Sequence, residues 1–159
     1  MLFTDAGKVI RFPEEQVRAM GRIARGVRGI KLAEEHHVIS LVVARTKGTI
    51  LTATENGYGK RTDVDEYRVT GRGGQGIISI QVNERNGQVV RSLQVEQNDE
   101  VMLITNKGTL VRFKVDELSV IGRNTQGVRL INVGSDEYVV GMQRIEEISD
   151  DLETESENE

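Results

Sequence analysis

The chain of 159 residues contains no cysteine, one proline and two histidines. Without cysteine it can form neither a disulfide framework nor a thiolate metal site, and this composition fits a reducing compartment. It has no run of about 18 apolar residues that could span a membrane. Its first residues have neither the charged segment nor the apolar segment of a signal peptide. The sequence therefore predicts a soluble, cytoplasmic protein with no membrane partner.

Charge is distributed unevenly along the chain. The formal net charge is -4, from 21 basic and 25 acidic residues. Residues 146–159 hold eight of the acids and no base, which leaves 17 acids against 21 bases in residues 1–145, a formal charge of +4. The distribution predicts a mildly basic globular part followed by a disordered acidic tail at 146–159. A basic globular part suits a polyanionic partner.

A glycine–arginine turn occurs three times, at intervals of 50 and 51 residues. A Thr-x-x-Gly segment recurs in the same register, and an arginine follows the glycine of each copy four residues later. An internal period of this length indicates stacked units that bury their faces against one another. The glycine–arginine turns span residues 21–27, 71–77 and 122–128, and the Thr-x-x-Gly segments span 4–7, 54–57 and 105–108.

Each unit shows the same order of predicted elements. An apolar strand passes through a glycine turn into a second strand, as in a hairpin. An acidic link that fits one helical turn or a tight bend follows, and it ends on an apolar residue in every copy: Val17, Tyr67 and Leu118. After the glycine–arginine turn come an alternating strand and a last strand. The predicted strands are 2–4, 8–12, 27–32 and 38–44; 50–54, 59–62, 77–82 and 89–95; and 101–105, 109–113, 128–133 and 139–145.

Four strands per unit, one proline and the lack of a long helical pattern predict an all-β protein of propeller type. In the middle unit, Asn86-Gly87 has the composition of a two-residue hairpin turn between the last two strands. A closed propeller needs about four to eight blades, so three blades require more repeats or a partner. Met1 aligns partway through the first strand of the later units, so we expect a piece of a longer protein. The three blades are expected at residues 1–46, 47–97 and 98–145.

Several short motifs suggest small-molecule sites but lack the neighbours that such sites require. Residues 71–76 match G-x-G-x-x-G, but a strand rather than a helix is predicted after them, which disfavours a dinucleotide site. Residues 21–26 have the outer spacing of a phosphate-binding loop, but Val27-Arg28 replaces the required Lys-Ser/Thr. His36 and His37 are adjacent on a predicted turn, which favours a solvated turn over a metal site. We predict no catalytic residues, cofactor or metal in the chain.

The recurring arginines are the strongest candidates for a binding function. Stacked units would carry each set around the rim as an evenly spaced row of positive charge, which suits a phosphate backbone. Adjacent glycines would let a phosphate approach backbone N–H groups. We predict sequence-independent nucleic-acid binding, with a propeller-type protein-interaction module as the alternative. The predicted contact residues are Arg11, Arg22, Arg25, Arg28, Lys60, Arg61, Arg72, Arg112, Arg123 and Arg129.

Three runs, residues 26–30 (GVRGI), 51–62 (LTATENGYGKRT) and 122–128 (GRNTQGV), closely resemble the C-terminal domain of the bacterial DNA gyrase A protein. The resemblance covers essentially the whole chain. It implies a six-bladed β-pinwheel, a propeller-like ring whose neighbouring blades exchange strands and whose basic perimeter wraps double-stranded DNA. This chain would form the last three four-stranded blades and the acidic tail. Residues 70–76 are a degenerate copy of the gyrase A box, so we do not expect full wrapping by this fragment.

The resemblance also implies a role in a larger enzyme. The domain would bend DNA beside the rest of the gyrase A protein and the gyrase B protein, at the bacterial nucleoid, and so support ATP-dependent negative supercoiling by a type II topoisomerase. ATP and Mg²⁺ would be used by other domains of that complex. The C-terminal domain of the topoisomerase IV C protein is the alternative within this class. We also expect the acidic tail to compete with DNA for the rim.

Overall fold

The computed structural model describes residues 1–145 and is built almost entirely from short β-strands. The predicted acidic tail, residues 146–159, lies outside the described residues. Within residues 1–145, no helix is long and apolar enough to cross a membrane. The strands are β1 (Leu2–Thr4), β2 (Lys8–Ile10), β3 (Val38–Leu41), β4 (Thr49–Thr54), β5 (Tyr58–Asp63), β6 (Ile77–Ile78), β7 (Val89–Val95), β8 (Glu100–Thr105), β9 (Leu110–Lys114), β10 (Val128–Arg129) and β11 (Val139–Ile145).

Three antiparallel hairpins form the centres of the sheets: β1–β2, β4–β5 and β8–β9. A glycine with positive φ closes each hairpin, because this backbone conformation is strained for residues with a Cβ. The last strand of each unit returns to pair with the first, as β3 with β1, β7 with β4 and β11 with β8. The acidic links form 3₁₀ turns at Glu14–Gln16, Val64–Glu66 and Val115–Glu117. The predicted all-β class is confirmed.

The third strand of a unit joins the sheet of the preceding unit. β6 pairs with β2, with Lys8 opposite Ile78, and β10 pairs with β5, with Gly59 opposite Val128. The strand orders are therefore β3-β1-β2-β6, β10-β5-β4-β7 and β11-β8-β9. The expectation of three four-stranded blades is corrected for the last sheet. It has three strands within residues 1–145, because a fourth strand comes from the next unit in the other two sheets.

This exchange explains where the predicted strands differ from the structure. The third strands are only two residues long in the second and third units, and residues 27–32 form no strand, since the described chain supplies no preceding sheet for them. The hairpin predicted at Asn86-Gly87 is wrong, because β6 and β7 belong to different sheets. Instead, the buried Asn86 side chain holds a turn between the sheets. Its amide donates to the carbonyls of Gln81 at 2.6 Å and Gln126 at 3.2 Å.

Two apolar clusters fill the two junctions between neighbouring units. Phe3 and Val9 of the first unit pack with Ile50, Val64 and Tyr67 of the second. The Phe3 and Tyr67 rings meet edge to face, with centroids 6.1 Å apart. The second cluster joins the middle and last units and includes Leu51, Val95, Val101, Val115 and Ile131.

The apolar residue that ends each acidic link shows how much burial depends on a preceding unit. Tyr67 is 1% exposed, and Leu118 packs against the second cluster. Val17 occupies the same repeat position in the first unit but is 42% exposed. Tyr67 is buried against Phe3 of the unit before it, and the described chain offers Val17 no equivalent.

The last glycine of the glycine–arginine turn lets two backbones meet at each junction. Gly76 has φ +74°, and a Cβ built there would lie 2.5 Å from the Val9 carbonyl oxygen. Gly127 has φ +79° and the same 2.5 Å approach to the Gly59 carbonyl oxygen. Both the conformation and the space therefore require glycine. By contrast, a Cβ on Gly71 would meet nothing within 4 Å.

Gly76→Ala should therefore lower the free energy of unfolding by at least about 1 kcal/mol, since the left-handed conformation alone costs a residue with a Cβ about that much. Urea unfolding followed by circular dichroism measures the change. Gly71→Ala is the matched control in the same turn, and it should change stability by less than about 0.5 kcal/mol. Equal effects of the two variants would contradict the close approach at Gly76.

Candidate nucleic-acid interface

The arginine of the glycine–arginine turn is a link between units in two of its three copies. The Arg72 guanidinium donates to the carbonyls of Arg28 at 2.5 Å and Gln16 at 3.0 Å. Arg123 makes the corresponding contact, 2.7 Å to the carbonyl of Ile78, which is the repeat equivalent of Arg28. The backbone N–H groups of both arginines donate to side chains of the preceding 3₁₀ turns. The recurrence of these arginines thus has a structural cause.

Arg22, the first copy, differs from the other two. Its side chain is exposed and makes no hydrogen bond or ion pair within residues 1–145. Arg25 and Arg28 lie in the same loop and are also exposed. None of these three arginines is ion-paired with a carboxylate in the described part of the chain. This loop therefore presents three uncompensated positive charges within seven residues.

The arginine of the second strand has a different environment in each unit. Arg11 is half-buried and donates to the carbonyls of Val64 and Tyr67, each at 3.0 Å. Arg61 is only 8% exposed, and its Nε has no hydrogen-bond partner within residues 1–145. Arg112 is exposed but forms an ion pair with Glu100. The structure therefore does not arrange these three arginines as a row of equivalent exposed charges.

Lys60 does not lie on an exposed rim, so its prediction as a nucleic-acid contact is wrong. The residue is 1% exposed, and its ammonium donates to the carbonyls of Gly122, at 2.9 Å, and Arg123 and to the Thr125 hydroxyl. Burial lowers the pKa of Lys60 to about 8. The side chain is directed into the junction because the turn at 122–127 of the next unit packs over β5. Lys60 thus holds the last unit against the middle one.

Arg129 lies in a cluster with two residues outside the predicted set, Arg85 and Tyr58. Both guanidinium groups lie over the ring of Tyr58, at 4.9 Å for Arg129 and 5.0 Å for Arg85. Both donate to its hydroxyl oxygen. Lys8 and Thr109 stand at the repeat positions equivalent to Tyr58, so comparison of the units did not mark the site. A tyrosine at a position that is otherwise polar was the only available signal.

The two histidines form hydrogen bonds with the carboxylate of Asp5, and in residues 1–145 they belong to no cluster of metal ligands. Asp5 is 7% exposed and accepts hydrogen bonds from the His37 backbone N–H and from the Nδ1 atoms of His36 and His37. Burial raises the pKa of Asp5, but these hydrogen bonds outweigh it and leave the pKa below its usual value. Among residues 1–145, no group of three or more potential ligands could hold a metal ion. The G-x-G-x-x-G segment leads into β6, a strand, as predicted.

Comparison with known proteins gives a family match over most of the chain and relatives of high sequence identity. The family described as the DNA gyrase C-terminal domain, beta-propeller, matches residues 1–45, 48–96 and 99–146. The DNA gyrase A protein of Salmonella typhimurium LT2 is 60% identical over 153 residues, which are 96% of this chain and 17% of that protein. The DNA gyrase A protein of Escherichia coli K12 is 57% identical over 156 residues, which are 97% of this chain and 18% of that protein.

Two solved structures share the fold. A DNA gyrase A C-terminal domain superposes with a TM-score of 0.83 at 24% identity, covering 90% of this chain and 49% of that one. A C-terminal domain of DNA topoisomerase IV gives a TM-score of 0.83 at 22% identity, covering 91% of this chain and 46% of that one. At these identities the two structures are evidence for the fold alone. Both matched domains are about twice as long as this chain.

Arg72→Gln should lower the free energy of unfolding by about 1 to 3 kcal/mol, because it removes two hydrogen bonds that join the first and second units. Arg22→Gln is the matched control at the same repeat position, and it should leave stability unchanged within about 0.5 kcal/mol. Chemical denaturation of both variants tests the difference. If Arg22→Gln destabilises the protein as much as Arg72→Gln, the proposed link between units is wrong.

Ionisation of the Lys60 ammonium should make the free energy of unfolding depend on pH, and the direction of its pKa shift gives the sign. Its pKa is lower in the folded state than in the unfolded state, so between about pH 8 and pH 10.4 the unfolded chain binds more protons and stability rises with pH. The unfolding free energy of the wild type minus that of Lys60→Met should therefore increase over this range. Groups that titrate alike in the wild type and the variant cancel in the difference. NMR titration of the Lys60 ε-methylene should give a midpoint near 8, and a midpoint above 10 would refute the assignment.

Proposed function

The chain belongs to the family of DNA gyrase C-terminal β-propeller domains, and on this premise we propose that it binds double-stranded DNA without base specificity and bends it over the basic edge of its sheets. The observation that carries the proposal is the set of exposed, uncompensated arginines. Arg22, Arg25 and Arg28 lie in one loop, and Arg129 lies on β10. Guanidinium groups without carboxylate partners are suited to phosphate, which they bind through paired N–H donors.

The absence of base specificity follows from the elements that present these charges. Within residues 1–145, the surface consists of turns, short strands and three-residue 3₁₀ helices. None of these described elements is a long helix that could enter a major groove. Contacts from exposed arginines in loops would reach the phosphates, which fix position and carry no sequence information.

Bending imposes an energetic requirement on these contacts. Bending a site of 20 to 30 base pairs by 40 to 90° costs on the order of 1 to 6 kcal/mol. A few phosphate contacts can offset a cost of this size, because each neutralised phosphate also releases counterions. Four of the ten predicted contact residues, Arg22, Arg25, Arg28 and Arg129, are exposed without an ion pair. We propose that they provide most of the favourable term.

The chain spans about 17 to 18% of the curated relatives that it matches, so the activity of a whole enzyme is a further proposal. We propose that the domain acts beside the rest of a gyrase A protein and the gyrase B protein in the bacterial cytoplasm, at the nucleoid. There it would present bent DNA for strand passage and support negative supercoiling. ATP, Mg²⁺ and the catalytic groups would belong to the other domains.

Two alternative assignments of function predict different observations. A domain of the topoisomerase IV C protein would share the fold, but the highly similar relatives named here are gyrase A proteins at 57 to 60% identity. A protein-interaction module would use the same charges for an acidic protein. Its binding would depend less steeply on salt than phosphate binding, which falls with log[salt] by about 0.9 per phosphate contact.

The affinity of the full chain for short duplexes of unrelated sequence should be similar and should fall steeply with salt. The combined variant Arg22→Gln, Arg25→Gln and Arg28→Gln should reduce the salt slope by about 2.7 if each arginine contacts one phosphate. Fluorescence anisotropy across a salt series measures the slope. The matched control replaces Arg45, Lys47 and Arg91, three exposed bases outside the predicted set, by glutamine.

Equal losses in the two triple variants would show that net charge, rather than the loop at 22–28, determines binding. No binding by the wild type at low salt would reject the proposed function. A chain truncated after residue 145 tests the proposed competition by the acidic tail. It should bind DNA more tightly than the full chain at low salt, and equal affinities would reject the competition.

A further inference from the structure

Tyr58 organises two positive charges at the surface of the middle unit. Its ring is buried, with 5% of the residue exposed, and its hydroxyl oxygen accepts hydrogen bonds from Arg85 Nε at 3.2 Å and from Arg129 Nη2. Both guanidinium carbons lie about 5 Å from the ring centroid, within the range of cation–π attraction. The two arginines are therefore held in defined positions next to each other.

Each member of this cluster comes from a different and well-fixed element. Tyr58 begins β5 and is the direct cross-strand neighbour of Arg129 on β10. Arg85 lies in the turn before β7, where its backbone N–H donates to Asn83 Oδ1 at 2.9 Å. The buried Asn86 holds the same turn by accepting a hydrogen bond from the Asn83 N–H at 2.8 Å. The arrangement is thus positioned by the framework and not by the flexible side chains alone.

The cluster carries more positive charge than its surroundings compensate. Neither Arg85 nor Arg129 is ion-paired with a carboxylate within residues 1–145. Two guanidinium groups on one phenol oxygen repel each other, and an anion between them would relieve that repulsion. Both hydrogen bonds at Tyr58 place its oxygen as the acceptor, so the phenol proton remains available for an anionic oxygen. The hydrogen bond from Arg85, against the opposing effect of burial, also lowers the pKa of Tyr58.

We propose that Arg85, Arg129 and Tyr58 form a phosphate clamp that binds a single phosphate group of the DNA backbone. The inference rests on the proposed function and extends it by adding Arg85 and Tyr58 to the interface. The clamp lies at the middle sheet, where the last unit contributes Arg129 through β10, and Lys8 and Thr109 replace Tyr58 at the equivalent positions of the other two units. It would fix where a DNA segment crosses this unit, whereas the loop at 22–28 supplies charge without such fixed geometry.

The number of phosphates bound is the quantity that tests the clamp. The variant Arg85→Gln, Arg129→Gln should reduce the salt slope of DNA binding by about 0.9, because both arginines hold one phosphate. Two independent contacts would instead reduce it by about 1.8. Tyr58→Phe keeps both charges and the ring, so it should leave the slope unchanged and weaken binding by about threefold to tenfold, as expected for loss of a hydrogen-bonding hydroxyl.

The control Arg45→Gln, Arg91→Gln removes the same charge from exposed arginines outside the clamp. Circular dichroism and thermal unfolding establish that every variant is folded. The clamp is refuted if the double variant behaves like this control, if the slope falls by about 1.8, or if Tyr58→Phe binds DNA as the wild type does.

Titration with inorganic phosphate tests the same site without DNA. The Nε–H NMR signals of Arg85 and Arg129 in the full chain should shift with sodium phosphate and not with sodium chloride at equal ionic strength. The shifts should be smaller in Tyr58→Phe. Failure of the wild type to bind DNA, with these shifts present, would reject the proposed function but retain a clamp for free phosphate. Equal shifts in phosphate and chloride would reject the clamp.

Discussion

The hydrogen-bond ladder between one repeat unit and the sheet before it is the constraint on which the structure depends. A strand of only two residues, β6 or β10, makes this ladder in each junction. So short a strand contributes little alone. It is supported by a glycine that lets two backbones meet, by an arginine on a carbonyl of the preceding unit, and by an apolar cluster beneath. Backbone, polar and apolar contacts therefore act together at each junction.

This constraint offers a structural reason for the recurrence of the arginines. Recurrence at a fixed period is expected of any residue that a junction needs, because every junction repeats the same geometry. Arg72 and Arg123 meet this description at the two junctions, and Lys60 supports the junction of Arg123 from the opposite side. Residues that recur for structural reasons have their donors engaged by carbonyls, which leaves fewer N–H groups for a phosphate. The charges best placed for DNA are those whose guanidinium groups donate to no backbone carbonyl.

The proposed interface accordingly combines two kinds of positive surface. The loop at 22–28 carries exposed arginines without internal partners, which suits contacts that tolerate different DNA sequences and positions. The cluster at Tyr58 holds two guanidinium groups in fixed positions. Fixed donors lose less conformational entropy on binding than flexible ones. A surface of this kind can combine loose electrostatic attraction with one defined point of contact.

The repeat, the all-β class, the strands of the central hairpins and a short turn at each acidic link can be predicted from the sequence, because glycine turns and alternating apolar residues are local signals. The sheet that each third strand joins depends on tertiary contacts, since a strand pattern does not specify its partner. The exposure of each charged side chain depends on them too. Lys60 and Arg22 are both basic residues in repeated segments, but the next unit covers Lys60 and nothing in the described chain covers Arg22. Burial at a junction depends on the neighbouring unit, and no single unit's sequence contains that information.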